Sequence, residues 1–527
     1  MADRYYITTA IAYVNGRPHI GHALEFVQAD CFARYHRLLS EDTYFLTGTD
    51  ENALKNVQAA EAEGIPVAAL VERNAQHFSE LDRRLDVSYD QFIRTAADPR
   101  HTPGAQKLWI ASDLAGDIYK KHYTGLYCVR CEKFLDPDDP ADMIDGLCAI
   151  HQIPPEEVEE ENYFFRLSKY GEQLEEIIAT DRYRIIPETR KNEVLSFIRR
   201  GLRDFSISRS QERARGWGVP VPGDPSQVIY VWFDALANYI TALDFADDGD
   251  LYQKYWVQNP IRTHCIGKDI IRFHAIYWPA MLLSAGVPLP KTLFVHGFIN
   301  SGGEKLSKSS GVVIDPAELI NRYGAEALRY YLLRGVNPTA DTDYTVENFE
   351  SRYNADLAND LGNLLNRTVS MIGRYRGGTV PEAGEPGDLE RSVAEVAARA
   401  AERSCAALDE YDPQTALEAV WELVTRTNRY VEESAPWQLS KAAKNGDANA
   451  DRQLDTALAT LAQSLKTISA LLEPFLPTTA DRIRGQLGFE GAVTWSDRLA
   501  WSPVPPGTQV GSPQPIFPRL ETPVAAR

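Results

Sequence analysis

Cysteine is scarce in this chain, with six in 527 residues. That is too few for a disulfide scaffold and fits a reducing, cytoplasmic compartment. No run of about 18 apolar residues occurs, so no membrane span or membrane partner is expected. The N-terminus lacks a basic stretch followed by an apolar core, so no secretory signal is expected. Positive charge is in deficit: 55 Lys and Arg against 74 Asp and Glu leave a formal net charge of -19. Such a charge repels nucleic acid at long range, so a nucleic-acid partner would require local basic surface. One candidate runs from Arg182 to Lys191 and continues with Arg199, Arg200 and Arg203; the same run also reads as an ordinary solvated face. What remains is ordinary globular composition, 44% hydrophobic and 24% charged, over a length that calls for two to four domains. Internal repeats and extended low-complexity segments are absent.

The first informative stretch is Ala12-Tyr-Val-Asn-Gly-Arg-Pro-His-Ile-Gly-His22. Before it, Arg4–Ile11 is rich in β-branched and aromatic residues and reads as a buried strand. After it, Leu24, Val27, Cys31 and Leu38 recur at helical spacing. His19 and His22 therefore stand where a strand turns into a helix N-terminus, where unpaired N–H groups and the dipole favour anions. Two imidazoles there can donate to phosphate oxygens, and Gly21 lets a nucleotide approach the backbone. A second strand, Thr43–Thr49, ends in Asp50-Glu51 and leads to a helix over 52–63. Strand, helix, strand, helix is the opening of a doubly wound α/β domain, which binds ligands at the carboxyl ends of its strands. Tyr13, His19, His22 and Asp50 all fall at such ends, and Asp50 can accept from a substrate ammonium.

Helices are expected over Gln76–Leu85 and Lys107–Lys121. Cys128-Val-Arg-Cys131 and Cys148-Ala-Ile-His151 then supply four N/S donors in two pairs. That spacing matches a closed tetrahedral zinc site, one structural Zn2+ per chain with no open position for chemistry. Val228–Phe233 is expected as a buried parallel strand leading to Asp234 and a helix over Ala235–Leu243. Arg262–Ile266 and Lys291–Phe298 are further strands, with Gly267-Lys-Asp269 after the first and a helix over Ile271–Ala285 carrying Phe273, His274 and Trp278. The loop Gly302-Gly-Glu-Lys-Leu-Ser-Lys-Ser-Ser-Gly311 carries two lysines, Lys305 and Lys308, among serines. It reads either as a solvated loop or as a clamp on phosphate charge. Amphipathic helices over Asp356–Ile372, Leu389–Leu408, Pro413–Glu433 and Leu454–Leu472 suggest a bundle. In the Pro/Gly-rich tail, Gln514–Leu520 is the only apolar anchor.

The tetrad His19-Ile-Gly-His22 resembles the ATP-binding tetrad of class I aminoacyl-tRNA synthetases. Together with the single four-ligand knuckle, Tyr230-Val-Trp-Phe-Asp234, Gly267-Lys-Asp269 and Lys305-Leu-Ser-Lys-Ser309, the chain resembles bacterial single-knuckle methionyl-tRNA synthetases. The resemblance runs from about Arg4 to the end of the bundle and includes the Ile516–Glu521 tail. It implies a Rossmann-like catalytic domain in two halves, over 1–115 and 204–300. A connective insertion over 116–203 would hold the knuckle at about 126–152, and a loop region would span 301–355. A helical anticodon-binding domain over 356–500 and a tail over 501–527 would follow. It implies formation of methionyl adenylate from methionine and ATP with Mg2+, then transfer to methionine tRNA, initiator and elongator.

In that resemblance His19, Gly21 and His22 bind ATP, and Lys305 and Lys308 stabilise pyrophosphate. Arg209, Gly267 and Asp269 assist ATP and ribose binding. Asp50 holds the methionine ammonium; Ile11, Tyr13, Trp232, Ala235, Tyr239, His274 and Trp278 line the thioether pocket. Asn363, Arg367, Pro436 and Trp437 read the anticodon. The chain departs from the usual pattern at Ala12, at Leu306, and at Asn52 and Ala53, where His and Gly are usual. Synthetases for isoleucine, valine and leucine carry long editing insertions for which this chain has no room, and a cysteine-specific enzyme would place zinc at the substrate. The other alternative is a divergent paralogue that binds nucleotide or RNA without aminoacylation. Many relatives carry a further dimerising domain that is not seen here, so a monomer is expected.

Overall fold

The computed structural model describes residues 3–128, 133–140, 142–301, 304–305, 314–489 and 494–521. The chain forms two compact units, residues 1–29 with 41–296 and residues 30–40 with 297–527.

The first unit is built on a seven-stranded sheet whose described pairings are all parallel. Its order is Arg184–Ile186, Thr292–His296, Arg262–Gly267, Arg4–Thr9, Asp42–Asp50, with Ala12–Tyr13 and Gln91–Arg94 both pairing Asp42–Asp50. Tyr5, Tyr6 and Ile7 are fully buried, because a parallel sheet is covered on both faces. Arg4–Thr9 has a partner from early in the chain on one side and one from late in the chain on the other, Ile7 pairing both Phe45 and Thr263. Strand order reverses here, which opens a crevice at the carboxyl ends.

Two expectations are corrected, and two short strands are added. The run Val228–Phe233 is not a parallel strand. Asp224–Ile229 is the middle strand of a three-stranded antiparallel sheet, and the helix already spans Val231–Thr241. All of that helix but Trp232 is buried, so it carries no polar face, and a short apolar run does not distinguish a buried helix from a buried strand. The helix expected over Lys107–Lys121 is His101–Leu114, closed by Gly116 at φ 74°, and Ile118 opens a strand. Gln91–Arg94 and Arg184–Ile186 join the sheet although both are too short to carry a pattern.

Ile118–Cys128 and Glu156–Phe165 pair antiparallel over ten residues, from Ile118 opposite Phe165 to Tyr127 opposite Glu156. This ribbon delivers Cys128 to a small apolar cluster of Cys128, Leu135 and Cys148, with Met143 and Ile153 against it. The basic run is ion-paired: Arg182 with Glu176, Arg190 with Glu193, Lys191 with Asp181, Arg199 with Glu175, Arg200 with Asp139 and Arg203 with Asp136. The solvated-face reading is therefore the one its geometry fits.

The second unit is helical. Its main helices are Asn363–Arg376, Asp388–Asp409, Pro413–Ser434, Pro436–Lys444, Ala448–Leu472 and Pro477–Leu487. Asp412 caps one by accepting from the Thr415 N–H, and Asp447 caps another by accepting from Asn449 and Ala450. From Thr456 to Leu472 the Ala448–Leu472 helix is buried throughout, so it is the bundle's axis. In the tail, Ile516 and Phe517 are buried, and the Tyr353 hydroxyl donates to the Pro518 carbonyl at 3.0 Å. Among the described residues, no helix is long and apolar enough to cross a membrane.

Candidate active site

His19 precedes the helix Ile20–Leu38, and its carbonyl accepts from the N–H groups of His22 and Ala23. The His19 N–H donates to His22 Nδ1 at 3.1 Å, and the Gly21 N–H donates to His19 Nδ1 at 3.1 Å. A neutral imidazole that accepts at Nδ1 carries its proton on Nε2, so the local backbone sets both rings as Nε2 donors. The two rings lie 3.9 Å apart. A Cβ on Gly21 would stand 2.9 Å from His19 Cε1 and would push the ring from this position. Asn74 secures the preceding turn by donating to the Val14 carbonyl at 2.6 Å.

Two residues that no sequence motif marks bind the strand ends together. Glu25 lies one turn beyond His22; its Oε1 accepts from the Ala10 N–H at 2.8 Å and its Oε2 lies 2.9 Å from His296 Nε2. Burial pushes the Glu25 carboxyl up, against the pull of His296. A Cβ on Gly267 would lie 3.1 Å from Asp269 Oδ1 and 3.5 Å from the His296 ring. Gly267, Asp269, His296 and Glu25 therefore gather at the carboxyl ends of three parallel strands. The signal in the sequence was faint: a carboxylate on the His22 side of the helix, and a histidine ending an apolar strand.

The candidate methionine residues form a continuous aromatic wall. Trp232 stacks on Phe273 at 3.7 Å and meets Tyr13 edge-on at 6.2 Å. Tyr239 lies 5.7 Å from His274 and 5.9 Å from Trp278. Ala235 is buried beside them in the same helix as Trp232 and Tyr239, and Ile11 is partly buried against the same core. His274 Nδ1 lies 3.0 Å from the Ile270 carbonyl, which can only accept, so Nδ1 carries the proton and Nε2 accepts from the Tyr239 hydroxyl at 2.7 Å. Burial drives the His274 pKa down to about 4, so the ring is neutral at ordinary pH. Below it Trp278 Nε1 donates to His264 Nε2 at 3.2 Å, and His264 Nδ1 lies 2.7 Å from the Thr8 hydroxyl.

Asp50, 2% exposed, ends its strand in a tightly bonded segment. Asn56 donates to the carbonyls of Asp50 and Glu51 at 3.1 and 3.0 Å, and Trp217 donates to the Glu51 carbonyl at 2.7 Å. The Glu51 N–H donates to Thr95 at 2.8 Å, and the Glu51 side chain pairs with Arg94 at 2.6 Å. Arg209 lies beside Tyr230, which packs with Tyr13 and Trp232, and near Tyr127 at the Cys128 end of the ribbon. Its guanidinium stacks 4.2 Å from the Tyr230 ring and 5.1 Å from Phe134, and donates to the Ser208 carbonyl at 2.7 Å.

In the knuckle, Cys128 Sγ and Cys148 Sγ each lie 3.8 Å from His151 Nδ1. The donor atoms of the three all fall within 4.8 Å of one another. Tetrahedral zinc, with bonds of about 2.3 Å to sulfur and about 2.0–2.1 Å to nitrogen, separates its ligands by about 3.6–3.8 Å. The three residues fit that ion; Cys131 lies outside the described residues.

Residues 5–139 and 136–369 match the family model described as tRNA synthetases class I (M), and residues 380–524 match the anticodon binding domain of methionyl tRNA ligase. The chain belongs to the class I methionyl-tRNA synthetase family. It is 44% identical over 519 residues to the methionine–tRNA ligase of Brucella suis, covering 98% of each. It is 42% identical over 522 residues to that of Mycobacterium tuberculosis, again covering 98% of each. The structure of the Mycobacterium tuberculosis methionyl-tRNA synthetase in complex with methionyl-adenylate superposes with a TM-score of 0.92 at 40% identity, over 98% of this chain and 100% of that one.

In this synthetase Lys305 closes a short hairpin, its backbone opposite Asn300; its side chain and Lys308 lie outside the described residues. The helical unit brings Arg367 and Trp437 together, the guanidinium 5.9 Å from the ring centroid. Asn363 is exposed at the start of the same helix as Arg367, and Pro436 is buried at the start of the helix that carries Trp437.

Proposed function

We propose that this chain is a methionine–tRNA ligase. A carboxylate oxygen of methionine attacks the α-phosphate of Mg–ATP, the bond between the α- and β-phosphates breaks, and pyrophosphate leaves. A hydroxyl of the terminal ribose of methionine tRNA then attacks the acyl carbon, and AMP leaves. The single observation that carries the reading is the His19–His22 pair set as Nε2 donors at the carboxyl end of the central parallel strand, in a chain of this family. The chemistry is positioning and charge stabilisation, with no covalent enzyme intermediate.

His19 and His22 hold the phosphates, and Gly267 and Asp269 hold the ribose side. Asp50 takes the methionine ammonium; Ile11, Tyr13, Trp232, Ala235, Tyr239, His274 and Trp278 enclose the thioether. His274 is neutral there, so its ring adds no positive charge against the ammonium. By family resemblance Lys305 and Lys308 stabilise the departing pyrophosphate, and Arg209 assists ATP from its place under Tyr230. Cys128, Cys131, Cys148 and His151 would hold one Zn2+. When bound it crosslinks a loop-rich module whose own apolar cluster is small, and no step of the reaction runs through it. Asn363, Arg367, Pro436 and Trp437 face the anticodon shared by initiator and elongator methionine tRNAs. The same reading has the enzyme cytoplasmic and monomeric, with boundaries near 115, 203, 300, 355 and 500.

The test is methionine-dependent ATP–pyrophosphate exchange followed by charging of methionine tRNA. Both activities are expected. Nucleotide binding without exchange would overturn the reading in favour of a paralogue that has lost aminoacylation.

A further inference from the structure

We propose that Asp234 is a positioning residue for methionine binding, holding the Asp50 segment against the helix that forms the opposite wall of the pocket, through Asn52 on one side and His101 on the other. The inference rests on the assignment of Asp50, Trp232, Ala235 and Tyr239 to methionine.

Asp234 sits in the first turn of the helix Val231–Thr241, between Trp232 and Ala235. Its residue exposure is 0%, and a buried carboxylate persists only when both oxygens are bonded. Here they are. Oδ2 accepts from Asn52 Nδ2 at 2.8 Å, and Oδ1 lies 2.8 Å from His101 Nε2. His101 Nδ1 in turn lies 2.8 Å from the Thr241 hydroxyl, seven residues further along the same helix and on the same face. One imidazole thus clamps both ends of the pocket helix. The helix His101–Leu114 packs closely against this clamp: a Cβ on Gly104 would lie 2.4 Å from Thr241 Cγ2.

On the other side, Asn52 is tied by its own backbone to the Asp50 carboxylate, the proposed acceptor of the substrate ammonium. Its N–H donates to Asp50 Oδ1 at 3.3 Å. A displacement of Asn52 therefore moves the group that receives the ammonium. The line from Asp50 through Asn52 and Asp234 to His101 and Thr241 joins residues from a strand, a loop and two helices. Of these only Asp50 touches substrate in the proposed mechanism. A histidine at position 52 would also supply an N–H donor toward Asp234.

The test uses the full chain and ATP–pyrophosphate exchange, with Asn52→Ala, Asn52→His, Asp234→Asn and Asp50→Ala. Asn52→Ala should raise the methionine KM by about tenfold or more, the worth of one buried hydrogen bond to a charged group, with kcat and the ATP KM within about twofold. Asn52→His should return the methionine KM to within about threefold of wild type, since it restores a donor of the same kind. In the double variant Asn52→Ala/Asp234→Asn the two losses should be less than additive. If Asp234→Asn fails to fold, the Asn52→Ala and Asn52→His pair decides alone. A wild-type methionine KM in Asn52→Ala, an equal loss in kcat and both KM values, or an Asn52→His no better than Asn52→Ala would overturn the proposal. Asp50→Ala separates the two readings: an unchanged methionine KM there refutes the pocket itself. A raised KM there with an unaffected Asn52→Ala refutes only the positioning role.

Discussion

The guanidinium of Arg367 lies 5.9 Å from the ring centroid of Trp437, and its Nη2 donates to Glu432 at 2.7 Å. The ion pair orients the arginine, and the cation rests on one face of the indole. Trp437 is nonetheless 39% exposed, which a core tryptophan is not. The break that presents it is local: Ala435 takes φ 42°, and Pro436 opens a new helix. An exposed ring beside a cation suits a splayed RNA base.

Trp437→Ala should leave methionine-dependent ATP–pyrophosphate exchange near wild type, because that step needs no tRNA. Charging of methionine tRNA should fall by about tenfold to over a hundredfold, the equivalent of about 1–3 kcal/mol of stacking. Equal losses in both reactions would mean that the tryptophan supports the fold.

His22→Ala should slow adenylate formation by roughly a hundredfold or more, the usual cost of removing one preorganised donor. The methionine KM should move little, since the imidazole serves phosphate. Exchange kinetics with a raised methionine KM and an intact kcat would contradict the assignment.

Purified protein should hold about one zinc per chain, and Cys148→Ser or Cys131→Ser should release it. Loss should be accompanied by easier proteolysis within the ribbon that ends at Cys128. Metal analysis that finds zinc retained in both variants would remove the site.

His274 sets a pH window for the pocket. Its folded pKa of about 4 lies below the ordinary 6.5, through burial, with the Ile270 carbonyl and Asp269 pulling the other way. The stabilisation from keeping it neutral is therefore complete above about pH 6.5 and is lost as pH falls toward about 4. In the folded enzyme the methionine KM should stay level from pH 8 to about 5 and rise below that, as Nε2 takes a proton and can no longer accept from Tyr239. A rise between pH 7 and 6, measured by exchange, would show that His274 titrates as an exposed imidazole.

Local chemistry was enough to place several elements from the sequence. The strand Arg4–Thr9, the turn before His19 and the helix after it depend on residue types within a few positions of each other, so they are legible in one dimension. The spacing of Cys128, Cys148 and His151 is legible for the same reason, since a metal fixes donor geometry. The outer bundle helices, such as Asp388–Asp409 and Pro413–Ser434, are legible because each keeps a polar face. The first turn of the helix Val231–Thr241 reads as strand because burial of nearly every residue erases that face. What only the tertiary structure decided are the bonds between residues far apart in sequence. Glu25 meets His296 across 271 positions, Asn52 meets Asp234 across 182, and His101 meets Thr241 across 140. The basic run from Arg182 onward reads either as a surface for RNA or as a solvated face until its carboxylate partners, several from distant segments, are seen beside it. A polar side chain's role is set by what lies within about 3 Å of it, and chain folding, not sequence neighbourhood, chooses that partner.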